Sequence, residues 1–384
     1  MSRMSKMSVT DLPEAVIMEI LLELPVKTLL ICKSVCKLWY YMISSDYFIN
    51  CHLQRAIISS WDNPTLLKIQ NPAGGLAFAT SKLDLVVHQP QQNNKAADNG
   101  QALSSYPVDF DHLHLPHLFA YCRVVGSCNG IICLSNRFNN VVYLWNPSIR
   151  KCRKLPIPGG LLLIKSPVKI GFGYDSISND YKVLRIVFER KNGLVPLVQV
   201  YSTNADCWKE FRTPILMNWN FAAHLQTNIV VKGVLFFDGG DELISFDSHK
   251  DILGLVPFPS CIFRKRSQLL DFEGSVAVVF ESIGDGLGID LWTLDSVSGE
   301  VSWTRKFSID DDADSESEIC LSCYLGAGRF YGSQSVNGIY LHNVLYDYDK
   351  KETKVYGVRE ESTYATPLKY VESLVSLDGF EQVE

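Results

Sequence analysis

Five strand-and-turn segments recur along this chain at nearly even spacing. Each ends a run of strand-forming residues on an aromatic side chain, followed by a polar turn and a second strand. The aromatic anchors are Trp145, Tyr201, Phe246, Trp292 and Tyr348, at intervals of 56, 45, 46 and 56 residues. Hairpins that repeat about every fifty residues are typical of propeller blades of the kelch type. The repeat predicts a large all-β domain, best read as a kelch-like β-propeller of about six to seven blades.

An antiparallel β-sandwich would also give hairpins with aromatic ends, so the pattern leaves that alternative open. Sandwiches do not usually repeat so evenly over about 200 residues, which favours the propeller. A propeller must close its ring. We expect the first strand region after residue 60 to meet the end of the chain, around "YVESLVSL" at residues 370–377.

Residues 12–43 follow helical spacing instead. Pro25 separates a first apolar helix from a second over residues 26–36, and a third over residues 37–43 carries Trp39. The sequence therefore predicts a small module of three helices. Such short helices bury little surface alone, so the surplus apolar residues indicate either a partner or packing against the rest of the chain.

Residues 12–55, "LPEAVIMEILLELPVKTLLICKSVCKLWYYMISSDYFINCHLQR", resemble an F-box of the form common in plants. The matching features are Leu12-Pro13, "LPVKTLL", and Val35-Cys36-Lys37 running into Trp39. The resemblance implies docking on a Skp-family adaptor and, through it, on cullin and RING subunits. The adaptor contacts that it implies are Leu12, Pro13, Ile17, Ile20, Leu21, Pro25, Val26, Leu29, Leu30, Val35, Cys36 and Trp39.

The β-rich part has a resemblance of its own. "GSCNGIICL", "LWNPSIRKCRKLP", "GFGYDSISNDYKVLRI", "VQVYSTNADCWKE" and "YVESLVSL" are similar to successive landmarks of the plant F-box-associated domain, as in S-locus F-box and S-locus F-box-like proteins. We therefore expect a disordered N-terminus over residues 1–8, an F-box over 9–55, a substrate-binding propeller-like domain over 60–378 and a tail over 379–384.

Together these resemblances imply a non-catalytic substrate-recognition subunit of an SCF-type cullin-RING E3 ubiquitin ligase, which recruits a target protein for ubiquitination. The alternative is a lectin-like or scaffold propeller without a ligase role. The substrate surface is expected on loops, because propellers keep their blade cores for packing. The candidate substrate contacts are Trp219, Phe221, His114 and Asp311.

Composition and charge exclude several other classes. The net charge of -6 argues against a nucleic-acid surface, which needs clustered Lys and Arg. No run of 18 apolar residues or secretory signal is present, so we expect no membrane association. The eleven cysteines are odd in number and lack framework spacing, which favours a reducing compartment. We expect a cytoplasmic or nuclear protein, or one found in both places.

Catalytic and metal sites find little support. Cys128 sits in "GSCNG", but "IICL" continues as strand, so a tight hairpin explains the glycines better than a nucleophile elbow does. His112 and His114, with Cys122 nearby, fall short of a four-ligand zinc pattern. Cys320 and Cys323 form a single C-x-x-C without a second pair. No cofactor or metal is expected.

Overall fold

The structure is a computed structural model. It describes residues 12–62, 64–70, 84–89, 104–107, 122–136, 141–159, 168–188, 195–213, 215, 228–240, 242–259, 266–281, 288–297, 300–310, 317–336, 339–358 and 366–382. Four helices come first, α1 (Glu14–Leu22), α2 (Val26–Cys32), α3 (Lys37–Ser44) and α4 (Asp46–Asp62), and together they form the helical module. In the described part of the chain, no helix is long and apolar enough to cross a membrane.

The prediction of three helices missed α4. Ser45 starts this helix, because its hydroxyl accepts a hydrogen bond from the Phe48 amide at 3.2 Å, as an N-cap does. Arg55 of α4 forms ion pairs with Glu19 of α1 and with Glu23, which directly follows α1, so these pairs link the two helices. The first strand follows α4 and begins at Thr65.

The core of the helical module is completed by the β-rich part of the chain. Its buried residues are Ile17, Leu21, Leu22, Val26, Leu29, Ile43 and Phe48, together with Ile149 and Leu374 from outside the module. Four short helices bury limited apolar surface by themselves. The two outside residues extend this core, so the helices are packed against the β-domain and do not hang from a loose linker.

Twenty-five strands follow in the described residues. They are β1 (Thr65–Gln70), β2 (Asp84–Gln89), β3 (Ser104–Pro107), β4 (Cys122–Cys128), β5 (Ile131–Asn136), β6 (Val142–Asn146), β7 (Lys151–Lys154), β8 (Val168–Asp175), β9 (Asp180–Val187), β10 (Leu197–Ser202), β11 (Cys207–Arg212), β12 (Asn228–Val231), β13 (Val234–Asp238), β14 (Glu242–Asp247), β15 (Ile252–Pro257), β16 (Arg266–Phe272), β17 (Ser275–Glu281), β18 (Gly288–Val297), β19 (Glu300–Asp310), β20 (Ser317–Gly326), β21 (Arg329–Val336), β22 (Ile339–Asp347), β23 (Glu352–Val358), β24 (Thr366–Tyr370) and β25 (Glu381–Gln382).

These strands form antiparallel sheets arranged as a propeller. The sheet orders are β24-β1-β2-β3, β25-β7-β6-β5-β4, β11-β10-β9-β8, β12-β13-β14-β15, β16-β17-β18-β19 and β20-β21-β22-β23. The innermost strands β24, β4, β8, β12, β16 and β20 contact one another in that order, and β20 contacts β24 again. Among the described residues the ring therefore contains six sheets, of which five have four strands and the sixth has five because β25 joins it.

Ring closure uses the two ends of the β-rich part, as expected. The first strand, β1, pairs with β24 in antiparallel register, with Leu66 opposite Lys369 and Leu67 opposite Leu368. The paired strand ends at Tyr370, so most of residues 370–377 take no part in it. Those residues run instead between the helical module and the sheet of β4 to β7.

The aromatic repeat corresponds to the third strand of successive sheets. The anchors that lie in these strands are Trp145, Tyr201, Phe246 and Trp292. Tyr348 does not, because it falls in the turn after β22 and is exposed, whereas Tyr346 in that strand is buried. Residues two apart share one face of a strand, so alignment by spacing alone could not tell these two tyrosines apart.

Two-residue turns join the first and second strands of four sheets. Both residues have positive φ in Asn129-Gly130, Lys232-Gly233, Glu273-Gly274 and Ala327-Gly328, the geometry of a type I′ turn. The first of them confirms the hairpin predicted for "GSCNG", with Cys128 opposite Ile131. A strand that turns back in this way cannot present Cys128 on a nucleophile elbow.

Gly130 is expected to be the least replaceable glycine of these turns. Its φ is +80°, and a Cβ there would lie 2.3 Å from Ser373 Oγ and 2.7 Å from the Val371 carbonyl oxygen. We expect Gly130→Ala to lower the free energy of unfolding by more than the roughly 1–2 kcal/mol of left-handed strain. Gly233→Ala is the matched control, because its φ is +78° but no atom lies within 4 Å. Urea unfolding measures the free energy of unfolding of both variants. An equal loss in the two would contradict the packing of residues 371–373 on this turn.

Asp175 supplies a pH-dependent link between two sheets. Its side chain is only 3% exposed, and burial alone would raise its pKa. Hydrogen bonds from Ser178 Oγ at 2.5 Å and the Ile177 amide at 3.0 Å, with His249 Nδ1 at 3.1 Å, lower that pKa to about 2. A depressed carboxyl pKa stabilises the fold above about pH 4, and that contribution disappears as the pH falls towards 2.

Asp175→Asn is therefore expected to cost about 2 kcal/mol of unfolding free energy at neutral pH. The difference from the wild type should shrink between about pH 4 and pH 2, because the wild-type carboxylate becomes protonated there. Urea unfolding at several pH values measures this. A difference that stays constant with pH would show that the carboxylate charge is not what Asp175 contributes.

Candidate functional site

Four of the predicted adaptor contacts lie inside the helical module. Ile17, Leu21, Val26 and Leu29 are between 0% and 5% exposed and pack in its core. A side chain at this burial cannot touch a partner without unpacking the helices. The prediction that these four make direct contact is therefore corrected: they hold the helices together, and only their neighbours face outward.

The other predicted adaptor contacts reach the surface to different degrees. Ile20 is 51% exposed, Leu30 37% and Val35 62%. Also exposed are Pro13, Pro25 and Cys36, while Leu12 and Trp39 are half-buried. Several exposed apolar side chains on one small module mark a candidate interaction surface. These residues are the part of the prediction that the fold leaves available to a partner.

The structure also exposes apolar residues that are not among the predicted adaptor contacts. In α1 to α3 they are Val16, Ile31, Leu38, Tyr40 and Tyr41. Val16 lies one helical turn before Ile20, so helical spacing already places the two side chains on one face of α1. The remaining four lie in or between α2 and α3, where helical periodicity gives no simple stripe. The candidate adaptor surface is defined as Val16, Ile20, Leu30, Ile31, Val35 and Leu38.

Positive charge lies at the junction of the helices and the β-domain. Lys33 follows α2, and burial together with the nearby charge of Lys151 lowers its pKa. On the other side of the module, Arg55 is paired with Glu19 and Glu23, and His52 Nε2 lies 3.0 Å from the Leu24 carbonyl oxygen. Arg55 and His52 thus connect α4 to α1 and the turn after it, whereas Lys33 and Lys151 repel each other at the junction.

The helical module lies against one edge of the propeller. A Cβ on Gly326, at the end of β20, would lie 2.7 Å from the Trp61 carbonyl oxygen of α4. The 3₁₀ turn Pro147–Ile149, between β6 and β7, contacts α2. Turns from first to second and from third to fourth strand share one edge of an antiparallel sheet. The connections from each fourth strand to the next sheet start and end at the opposite edge.

All four candidate substrate residues belong to such connections and lie outside the described residues. His114 falls in the segment between β3 and β4, Trp219 and Phe221 between β11 and β12, and Asp311 between β19 and β20. The described ends of the flanking strands lie at the edge away from the helical module. The strand ends that flank these three segments thus share one edge, which the sequence could not show.

Burial suppresses the ionisation of three cysteines in the β-domain. Burial raises the pKa of Cys128 to about 12 and those of Cys122 and Cys323 to about 11, so these thiols stay protonated at neutral pH. Among the residues that the structure describes, no group of three or more His, Cys, Asp and Glu could hold a metal ion. His112 and His114 lie outside that part of the chain.

Comparison with known proteins gives two family matches in chain order. Residues 9–50 match the F-box domain, and residues 76–371 match the F-box associated beta propeller domain. Among curated relatives, F-box/kelch-repeat protein At3g23880 of Arabidopsis thaliana is 27% identical over 78% of this chain and 79% of its own length. Putative F-box protein At3g10240 of the same plant is 26% identical over 79% and 73%.

A solved structure of a hypothetical selenium-binding protein from Sulfolobus tokodaii has a TM-score of 0.39 and 10% identity, covering 76% of this chain and 73% of its own. The family assignment rests on the two domain matches, since the second spans well over half of the chain. Their order also agrees with the helices and the propeller of the structure. The chain belongs to the F-box proteins that carry an F-box associated β-propeller domain.

Proposed function

We propose that this protein is the substrate-recognition subunit of an SCF-type cullin-RING E3 ubiquitin ligase. One observation carries the proposal beyond family membership. The F-box helices keep exposed apolar residues while packed on one propeller edge, and the long connections between blades begin and end at the other edge. A receptor needs two separate surfaces of this kind, one for the ligase and one for the target.

The first surface would bind a Skp-family adaptor through the candidate adaptor surface. Ile20, Leu30 and Val35 are its predicted anchors, because each is apolar, exposed and held by a packed helix or turn. Covering apolar surface is worth about 25 cal/mol per Å² of area removed from water. Cullin and RING subunits would then be recruited through the adaptor, without contacts from this chain being required.

The second surface would bind the target protein through the connections at the opposite edge. Trp219 and Phe221 are proposed as aromatic anchors, because large aromatic side chains dominate interface energies. Asp311 belongs to an acidic run that would steer a basic target, and His114 lies in a third connection at this edge. Trp219→Ala should therefore shorten the lifetime of the target complex and leave adaptor binding unchanged.

The chain itself would carry out no bond chemistry. Its contribution would be to hold the target close to the ubiquitin-conjugating enzyme, which raises the effective concentration of target lysines. We also propose that it works in the cytoplasm, the nucleus or both, since its odd number of cysteines without framework spacing fits a reducing compartment.

The test is a capture and transfer experiment with the full chain. Proteins captured from plant extract with the proteasome blocked are identified by mass spectrometry, and the candidates are then ubiquitinated in a reconstituted ligase. We expect the wild type to transfer ubiquitin to at least one captured protein, and Trp219→Ala to lose capture while still binding the adaptor. A chain that captures proteins but never binds the adaptor would favour the lectin-like or scaffold alternative.

A further inference from the structure

The segment that follows the last propeller strand crosses between the F-box helices and one blade. Residues 371–380, here named the strap, start directly after β24 and end at β25, which pairs with β7 at the outer edge of the blade. Most of the strap forms no sheet, yet several of its residues are buried or half-buried. It therefore has contacts other than a strand ladder to hold it in place.

Asn146 provides the most specific of these contacts. This residue ends β6 and is fully buried. Its Nδ2 donates to the Val375 carbonyl oxygen at 2.8 Å, to the Ser373 carbonyl oxygen at 3.0 Å and to Ser373 Oγ at 3.2 Å. Its Oδ1 accepts from the Ser148 amide at 3.0 Å, which begins the 3₁₀ turn. One side chain thus fixes both the strap and the turn that touches α2.

Neighbouring residues of the strap pack on different parts of the molecule. Leu374 is buried in the core of the helical module, together with Ile149 of the 3₁₀ turn. Val375 and Leu377 pack instead on the core shared by the sheets of β4 to β7 and β8 to β11. The strap therefore has one apolar side chain among the helices and others in the propeller, which is the arrangement of a clamp.

Two further hydrogen bonds secure the ends of the strap. Ser373 Oγ donates to the Asn129 carbonyl oxygen at 2.8 Å, in the turn between β4 and β5. Arg153 of β7 donates to the Asp378 carbonyl oxygen at 2.6 Å. These groups all belong to one blade, so they fix the strap to the propeller. The helices contact the strap through Leu374 and through Glu372, whose carboxylate accepts a hydrogen bond from the Val26 amide.

We propose that the strap, held by Asn146, locks the F-box helices at one angle to the propeller, and that Asn146 is a positioning residue for ubiquitin transfer. If this angle is constant, the distance and direction from a bound adaptor to the opposite edge of the propeller are constant too. Only target lysines that fall within reach of that path would then be modified. This second consequence rests on the proposed function, whereas the locking itself does not.

Distances between two spin labels on the full chain test the locking directly. The labels are attached through ketone-bearing amino acids at Gln54 of α4 and Val301 of β19, both exposed, because the native cysteines preclude thiol labelling. We expect one narrow distance in the wild type, and loss of that single maximum in Asn146→Ala. Asn204→Ala is the matched control, since Asn204 lies in another sheet's turn and bonds only the Ser178 carbonyl oxygen at 3.0 Å through its side-chain amide.

Leu374→Ala provides a second variant in case Asn146→Ala fails to fold. It removes the apolar contact of the strap with the helices and leaves the Asn146 hydrogen bonds in place. We therefore expect the same loss of a single narrow distance, with little change in the β-sheet circular dichroism. A single narrow distance, equal to that of the wild type, in a folded Asn146→Ala or Leu374→Ala chain overturns the proposal. No adaptor or target takes part, so this result stands apart from the ligase assignment.

The positioning role has its own readout in the reconstituted ligase. Asn146→Ala should keep wild-type affinity for the adaptor and for the captured target, but should spread ubiquitin over more target lysines than the wild type does. A purely structural role would lower all sites together through loss of folded protein. If the pattern of modified lysines is unchanged while the spin-label distance broadens, Asn146 has no role in ubiquitin transfer. The strap would still hold the helices at one angle.

Discussion

Ile20→Asp combined with Leu30→Asp is expected to abolish binding of this chain to a Skp-family adaptor. Both side chains are exposed, at 51% and 37%, so the change leaves the helical core intact while placing two charges in the interface. Burying an unpaired carboxylate is costly, and anchors of this kind carry most of the energy of an interface. We expect affinity to fall by roughly 100-fold or more, which corresponds to about 2.7 kcal/mol. Surface plasmon resonance with immobilised adaptor measures it.

Ile58→Asp is the matched control for this prediction. Ile58 is an isoleucine of similar exposure, 58%, on α4 of the same module, outside the candidate adaptor surface. It should bind the adaptor as the wild type does. If the double variant still binds normally, or if Ile58→Asp loses binding equally, then the adaptor surface lies elsewhere on the helices.

Trp145→Ala is expected to be the most destabilising single change in the propeller. Trp145 is fully buried in a core cluster with Ile132, Tyr143 and Tyr370, so it joins the middle of its own blade to the closing strand. Removing a buried aromatic ring costs about 3–5 kcal/mol, because both the transfer energy and a cavity are involved. Urea unfolding followed by circular dichroism should show this loss as a lower midpoint with a similar slope.

Trp61→Ala is the matched control, because it removes the same side chain from an exposed position. Trp61 is 69% exposed at the end of α4, so truncating it should change the unfolding free energy by no more than about 0.5 kcal/mol. Comparable losses in the two variants would mean that Trp145 does not pack as a central core residue of its blade.

Local sequence patterns predicted those features of the fold that depend on residues close together in the chain. The turn in "GSCNG" follows from Asn-Gly chemistry, and four aromatic anchors were found because third strands repeat. Closure by the end of the chain followed from the need to leave no open edge, and β1 and β24 meet that expectation. The length of the closing strand did not follow from that need, because β24 ends at Tyr370 and the strap continues without pairing in its sheet.

The candidate adaptor surface shows where such rules stop. Ile17 and Ile20 belong to the same apolar stripe of α1, yet one is buried and the other half exposed. Periodicity identifies the face of a helix, but it cannot say which part of that face another helix will cover. Helix α4 covers part of it through Arg55 and its apolar residues, and α4 was the helix that the sequence did not predict.

The sequence by itself determined that this chain has helices followed by a repeating β-domain, and its motifs pointed to F-box relatives, because these properties are carried by neighbouring residues. Only the tertiary structure decided which apolar residues stay exposed, that the connections between blades begin and end at the edge opposite the helices, and that Asn146 binds a segment 227 residues further along the chain. Contacts over such separations depend on ring closure, which brings the two ends of the propeller together and leaves no signal in local spacing.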